Sequence, residues 1–299
     1  MISPAHERVV PLAGPGFTDA VTFAFGDAEA GLFGLARLGL SPGADGAGRA
    51  GSALAVLFSG REPVAAVARG GLPVPDGGGW DSLALAGLSA TLSEPLRRWA
   101  VALDAGEHGF DLRFEALGPP GELPADAPVA LAGGMAGYEQ ACAVTGVVRV
   151  GGREVTVDCG GQRGHTWGEP DWTQLEATRN VAAWWGSELG LALTAVRPAG
   201  ARSHADEPMW AALLRRDGAL GVEEPRLSTT YDGDGHQRRA GLELWLDDHD
   251  AHPHRGSGEI LCGSTLELGQ LQLDCAFFRW RLDGRTGVGR YDILRRAAP

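Results

Sequence analysis

The chain has 299 residues, of which 44% are hydrophobic and 21% charged, enough for two globular domains or one large barrel. Its 46 glycines and 18 prolines favour many short strands and turns over a helical bundle. The formal charge of −12 opposes contact with phosphate backbones and anionic membranes, so we predict no nucleic-acid partner.

Targeting signals are not visible in the sequence. Residues 1–7 lack the apolar stretch of a signal peptide. The longest apolar run, at residues 54–58, is far shorter than the roughly 20 residues of a transmembrane helix. Four cysteines are too few for a disulfide framework in a chain of this length. We therefore expect a cytoplasmic protein without membrane insertion.

Alternation of apolar and polar residues predicts strands through the first half of the chain. The expected strands are residues 21–25, 32–40, 53–58, 64–67, 83–92, 98–103 and 111–117. A short helix over residues 96–104 is an alternative, because Pro95 suits a first helical turn. The alternation of Trp99, Val101 and Leu103 favours the strand.

A segment rich in Pro, Gly and Ala then separates two halves of similar size. We place a linker at residues 121–136, between a first domain of residues 1–120 and a second of residues 137–299.

The second half predicts four β-hairpins, which together favour an antiparallel, half-buried sheet. Their turns are expected at Gly151-Gly152, Asp217-Gly218, residues 232–235 and Gly269. A further strand is expected over residues 180–196.

The first and last of these hairpins place cysteines in diagonal positions, Cys142 with Cys159 and Cys262 with Cys275. Diagonal neighbours lie roughly 7–8 Å apart, beyond the reach of a disulfide. We predict four free thiols.

The densest group of chemically active side chains lies at residues 162–172. His165 and Trp167 share one face of a strand, and Glu169 and Asp171 follow at its rim. These four are our candidate catalytic residues, since they can donate protons, polarise a carbonyl or stabilise a cation. The alternative is structural, with Trp167 closing a barrel end and His165 buried and hydrogen bonded.

Further aromatic side chains are candidates for a substrate cavity. They are Trp172, Trp184, Trp185, Tyr231 and Trp245. Trp184 and Trp185 are adjacent in a strand and face opposite sides, so at most one of them enters a barrel.

Residues 247–254 contain three His and three Asp, a composition that can bind zinc. Their spacing fits no rigid site, so we predict no metal. Nucleotide-binding and nucleophile-elbow motifs are absent from the sequence, and we predict no cofactor.

Several short segments resemble the carotenoid 1,2-hydratase (hydroxyneurosporene synthase) superfamily and, more distantly, the fungal decalin-forming Diels–Alderases. The matching residues are Tyr138-Glu139-Gln140, 146–152, 161–168, Asp171-Trp172 and, more weakly, 287–292. The superfamily has Asp before the His of its Arg-Asp-His-x-Trp-Gly pattern. This sequence has Gly164 there and lacks that carboxylate.

The resemblance implies an all-β protein of two lipocalin-like antiparallel barrels in tandem, with Tyr138 and Glu139 near the substrate. It also implies cofactor-free chemistry on a small hydrophobic substrate. Our leading hypothesis is a cyclase or isomerase of specialised metabolism (a pericyclase), in which an open apolar interior folds a polyene for reaction. The alternatives are a hydratase, with Glu169 or Asp171 protonating an alkene, and a non-catalytic binder of apolar ligands.

Overall fold

The computed structural model describes residues 2–43, 48–75, 77–246 and 252–297. Antiparallel strands in two sheets make up most of this part of the chain. Residues 2–17, the N-terminal segment, contain no strand and one 3₁₀ helix, Pro4–Glu7. A second 3₁₀ helix spans His204–Asp206.

The first sheet has 11 strands. They are β1 (Thr18–Asp27), β2 (Leu32–Pro42), β3 (Arg49–Ser59), β4 (Glu62–Pro73), β5 (Leu83–Leu85), β6 (Leu88–Glu94), β7 (Arg98–Ala105), β8 (His108–Ala116), β9 (Gly121–Leu123), β10 (Met135–Val150) and β11 (Arg153–Gly168). Their order is β4-β3-β2-β1-β11-β10-β8-β7-β6-β5, with β9 also paired to β10.

The second sheet has nine strands. They are β12 (Leu175–Trp185), β13 (Leu189–Pro198), β14 (Met209–Arg215), β15 (Gly218–Val222), β16 (Glu224–Tyr231), β17 (Gln237–Trp245), β18 (His254–Leu268), β19 (Leu271–Leu282) and β20 (Arg285–Arg296). Their order is β15-β14-β13-β12-β20-β19-β18-β17-β16.

Each sheet curls into a nearly closed barrel around its own apolar core. Alternate residues of β1, among them Val21, Phe23 and Phe25, pack inside the first barrel. Val181 and Tyr291 do the same in the second. The predicted fold class, an all-β protein of two lipocalin-like barrels in tandem, is confirmed.

A third apolar cluster joins the two barrels, because several strands also carry apolar residues on their outer faces. The ring of Phe277 in β19 lies 5.5 Å from that of Phe33 and 6.0 Å from that of Phe58, measured between centroids. The barrels therefore share a buried face.

The change from one sheet to the other comes later in the chain than the boundary expected at residue 137. β10 pairs with β8, and β11 pairs with β1, so residues 135–168 complete the first sheet. The expected linker at 121–136 contains β9, the short helix α1 (Pro128–Gly133) and the start of β10. The sheets meet between Gly168 and Leu175.

Two expected strands are instead hairpins. The strand expected at 83–92 is broken at Ala86 and Gly87, where φ is +50° and +83° and the chain turns from β5 into β6. The strand expected at 180–196 turns between Trp185 and Leu189, giving β12 and β13. The four predicted hairpins are confirmed, and the strand over 98–103 replaces the alternative helix.

All four cysteines are free in the structure. Val144 pairs with Cys159 as predicted, which leaves Cys142 diagonal to it, opposite Gly161. Burial raises the pKa of Cys142, Cys159 and Cys262 to about 12.

Candidate functional site

Three neighbouring strands bring polar side chains together at one end of the first barrel. β11 lies between β1 and β10, and His165 pairs across them with Val21 and Tyr138. Side chains alternate along a strand, so Arg163, His165 and Trp167 share the face that carries Tyr138. These four side chains, the His165 group, pack next to the N-terminal segment.

A buried carboxylate orients the imidazole of His165. Asp19 Oδ1 lies 2.5 Å from His165 Nε2, and both side chains are fully buried. Asp19 Oδ2 accepts hydrogen bonds from the Val10 N–H at 2.8 Å and the Trp80 Nε1–H at 3.3 Å. His165 Nδ1 has no hydrogen-bond partner among the described residues. With Nδ1 facing no acceptor, Nε2 is the ring nitrogen that donates to Asp19.

Arg163 is the centre of a second buried network. Its guanidinium donates to Glu7 Oε1 at 2.5 Å and to Gln140 Oε1 at 2.6 Å. The Tyr138 hydroxyl donates to the same Glu7 oxygen at 2.8 Å. Burial lowers the pKa of Arg163, but Tyr138 and Glu7 outweigh it and raise the pKa overall. Glu7 Oε2 is buried and has no hydrogen-bond partner within the described chain.

The aromatic rings around His165 pack edge to face. Ring centroids lie 5.1 Å from His165 to Trp167, 5.7 Å to Tyr138 and 5.9 Å to Trp80. Such distances are typical of direct aromatic contact. These rings fill the end of the barrel, so the open interior expected around Trp167 is not formed between them.

A cleft of about 400 Å³ lies next to this packed group, within the size range of ligand sites. Its lining comes from the N-terminal segment, from the loop between β4 and β5, and from the end of β6 with the turn that follows it. Its lining residues are Pro4, Ala5, Glu7, Arg8, Val9, Gly79, Trp80, Asp81, Leu92 and Pro95. Glu7 is one of these residues, and only 1% of its side chain is exposed.

The other two candidate catalytic residues lie outside the His165 group. Glu169 is exposed, and its Oε1 accepts a hydrogen bond from the Gly16 N–H at 3.1 Å. Asp171 is exposed and accepts from the backbone and hydroxyl of Thr173, which lowers its pKa. The structure therefore brings together His165 and Trp167, but neither carboxylate.

The candidate substrate-binding aromatics are spread over both barrels. Trp184 packs between the barrels, while Trp185 lies in the core of the second, as their adjacency predicts. Trp172 contacts a small cluster around α1. Tyr231 is 46% exposed, and Trp245 is half-buried. None of the five lines the cleft that Glu7 and Trp80 share.

Glu139 faces the second barrel and not the cleft. Its Oε2 accepts from Gln162 at 3.0 Å, and Arg290 lies 3.7 Å from its Oε1. Burial raises the pKa of Glu139, against the opposing effects of Arg290 and Gln162. A Cβ on Gly164 would lie 2.4 Å from Glu139 Oε1, so the glycine leaves room for this carboxylate.

Three residues of the site were missed in the sequence: Glu7, Asp19 and Trp80. The alternation of side chains in β1 could have revealed Asp19, because it lies two residues before Val21 and therefore faces the same inner side of the strand. Glu7 and Trp80 lie in irregular segments, where no periodicity shows which side chains turn inward.

Most of the metal-like run at 247–254 lies outside the described residues, which resume at His252. His254 contacts Asp283 Oδ2 at 2.5 Å. Asp232, Asp234 and His236 are close enough to share a cation, but Asp232 is already held by Arg238 and by backbone N–H groups. In the described part of the chain, no helix is both long and apolar enough to cross a membrane.

Solved structures share the fold over nearly the whole chain. An AttH-type protein from Nitrosomonas europaea is 11% identical, with a TM-score of 0.67 over 96% of this chain and 98% of its own. CghA with Sch210972 is 14% identical, with a TM-score of 0.64 over 95% and 89%. Kievitone hydratase from Nectria haematococca is 12% identical, with a TM-score of 0.64 over 96% and 94%.

These neighbours share the fold that the resemblance implies. No curated protein matches the chain significantly in sequence. The family described as domain of unknown function DUF7064 matches residues 4–297. The chain therefore belongs to the DUF7064 family.

Proposed function

We propose that this protein is an enzyme that adds water to, or removes it from, an alkene of a small apolar molecule bound in the cleft. The observation that carries the proposal is the buried carboxylate of Glu7, a residue that lines that cleft, held by Arg163 and Tyr138. Kievitone hydratase, a hydratase by name, has the same fold and supports this class of reaction. We also propose the cytoplasm as the location, in keeping with four free thiols.

Glu7 has the arrangement of a proton-transferring carboxyl group. Its Oε1 accepts from both Arg163 and Tyr138, and we assign the proton transfer to Oε2, which has no partner among the described residues. In hydration, the Glu7 carboxylate takes a proton from the water that adds to one alkene carbon and passes that proton to the other carbon. Glu7 therefore ends in its starting state, and the reaction needs no cofactor.

The apolar residues that line the cleft support the choice of an apolar substrate. Val9 and Leu92 are partly exposed and offer a surface for an apolar substrate, beside the buried ring of Trp80. The role that the sequence hypothesis gave to Glu169 or Asp171 passes to Glu7, because those carboxylates lie elsewhere.

A cyclase or isomerase acting on a polyene is the second candidate. The apolar lining of the cleft favours it, since such a surface can hold a flexible chain in a reactive conformation. The packed rings around His165 weigh against it, because they leave no space between them for a folded substrate.

The test begins with native mass spectrometry of the purified protein, to find any co-purifying ligand. That compound and a panel of isoprenoid and polyene alkenes are then incubated in H₂¹⁸O and in D₂O. A hydratase gives product with one ¹⁸O and one carbon-bound deuterium. A product of unchanged mass supports the cyclase, and unchanged but tightly bound ligand supports a binding protein.

Glu7→Gln is the matched variant, since it keeps the shape and the acceptor for Arg163 but cannot shuttle a proton. We expect turnover to fall by at least about 100-fold. Asp171→Asn, at an exposed carboxylate outside the cleft, is the control and should retain activity. Full activity in Glu7→Gln would overturn the assignment of Glu7.

A further inference from the structure

Asp19 joins three separate parts of the candidate site. Its Oδ2 binds Val10 in the N-terminal segment and Trp80 in the loop between β4 and β5. Its Oδ1 binds His165 in β11. The carboxylate is fully buried, so water does not compete for these bonds.

The two partners of Oδ2 belong to two different segments of the chain that line the cleft. Trp80 lines it from one segment, and Val9, next to Val10, lines it from the other. The N-terminal segment has no strand pairing to hold it. Its other polar anchors are Glu7, bound to Arg163 and Tyr138, and Gly16, bound to exposed Glu169.

We propose that Asp19 is the positioning residue of the cleft, one oxygen holding both segments and the other fixing the orientation of His165. The use of the cleft for substrate rests on the proposed function, but the positioning role does not. Loss of the Asp19 carboxylate releases the N-terminal segment together with Glu7 and leaves the Trp80 indole without its acceptor.

Two substitutions separate the roles of the two oxygens. Asp19→Ala removes both acceptors. Asp19→Asn can place its amide oxygen at the Oδ2 position, keeping Val10 and Trp80, while its N–H₂ replaces Oδ1 opposite His165. An N–H₂ there donates, so His165 Nε2 must accept and the ring proton must move to Nδ1.

The measurements are amide and indole hydrogen exchange and the ¹⁵N shifts of the His165 ring. In Asp19→Ala we expect the Val10 amide and the Trp80 indole to exchange at least about tenfold faster. A tenfold change corresponds to a loss of about 1.4 kcal/mol of local stability. In Asp19→Asn we expect both to stay protected while the ring proton moves from Nε2 to Nδ1. A space-filling role alone would not move that proton.

Asp27→Asn is the matched control, because Asp27 lies in the same strand and also accepts backbone hydrogen bonds, from Glu29 and Ala30. It should change neither readout. Unchanged exchange in Asp19→Ala, or an unchanged His165 tautomer in Asp19→Asn, would overturn the proposal. If Asp19→Ala does not fold, the tautomer in Asp19→Asn still decides it.

These readouts are independent of turnover. Glu7→Gln retains an acceptor for Arg163 and should leave exchange at Val10 and Trp80 as in the wild type. Failure of the proposed hydration and failure of the positioning role are therefore distinguishable.

Discussion

The guanidinium of Arg163 and the carboxylate of Glu7 form an ion pair at 2.5 Å inside the first barrel, with 2% and 1% of their side chains exposed. Arg163 lies in β11, the last strand of the first sheet in chain order, and Glu7 lies in the N-terminal segment, which contains no strand. The pair thus fastens the N-terminal segment to the barrel.

Arg163→Met should destabilise the protein by about 3–5 kcal/mol, because it leaves Glu7 buried without its cation. Adding Glu7→Gln should recover part of this loss. Urea unfolding of the single and double variants measures the coupling energy. Arg226→Met is the control, since the Arg226–Glu224 pair is more than half exposed and should be worth at most about 1 kcal/mol. Additive losses at Arg163 and Glu7 would contradict the pairing.

Phe277→Ala should weaken the contact between the barrels, at a cost of about 3–5 kcal/mol, because its ring packs on Phe33 and Phe58 across the interface. We expect calorimetry to resolve two unfolding transitions in this variant. Phe110→Ala, which empties the core of the first barrel, is the comparison and should lower the stability of that barrel alone. A single, unshifted transition in Phe277→Ala would show that this ring does not join the barrels.

Gly164→Ala should destabilise the protein by about 1–3 kcal/mol, because the new Cβ would displace Glu139 from Gln162 and Arg290. In a Glu139→Ala background the same change should be nearly neutral. The comparison needs only thermal unfolding of the wild type, the two single variants and the double variant. Equal losses in both backgrounds would rule out the steric link.

The buried thiols should be nearly inert in the folded protein. Folding raises the pKa of Cys142 and Cys262 from about 9 to about 12 through burial, so the folded chain keeps protons that the unfolded chain loses. Stability should therefore fall as pH rises from about 9 to 12. Ellman's reagent at pH 8.5 should react at least about 100-fold more slowly with native than with unfolded protein. Rapid reaction of these thiols would contradict their burial.

The regular part of the fold was predictable because alternation and turn residues report strand pairing directly. The Gly151-Gly152 turn set the register of β10 and β11 along their whole length. The sheet to which those strands belong was not predictable, since the pairing of β1 with β11 leaves no local signal. His165 and Trp167 were found together because both lie in one strand, whereas Glu7 reaches them only through tertiary packing.

The pairing of Thr18 with Gly168 affects how the chain folds during its synthesis. A nascent chain carries β1 with one open edge until β11 has left the ribosome, and only then can the first barrel close. Contacts so distant along the chain form slowly, since a long loop must be closed first. Truncation at residue 120 would therefore leave two separate sheets, β1–β4 and β5–β8, with β1 and β8 as unpaired edges, instead of an independent domain.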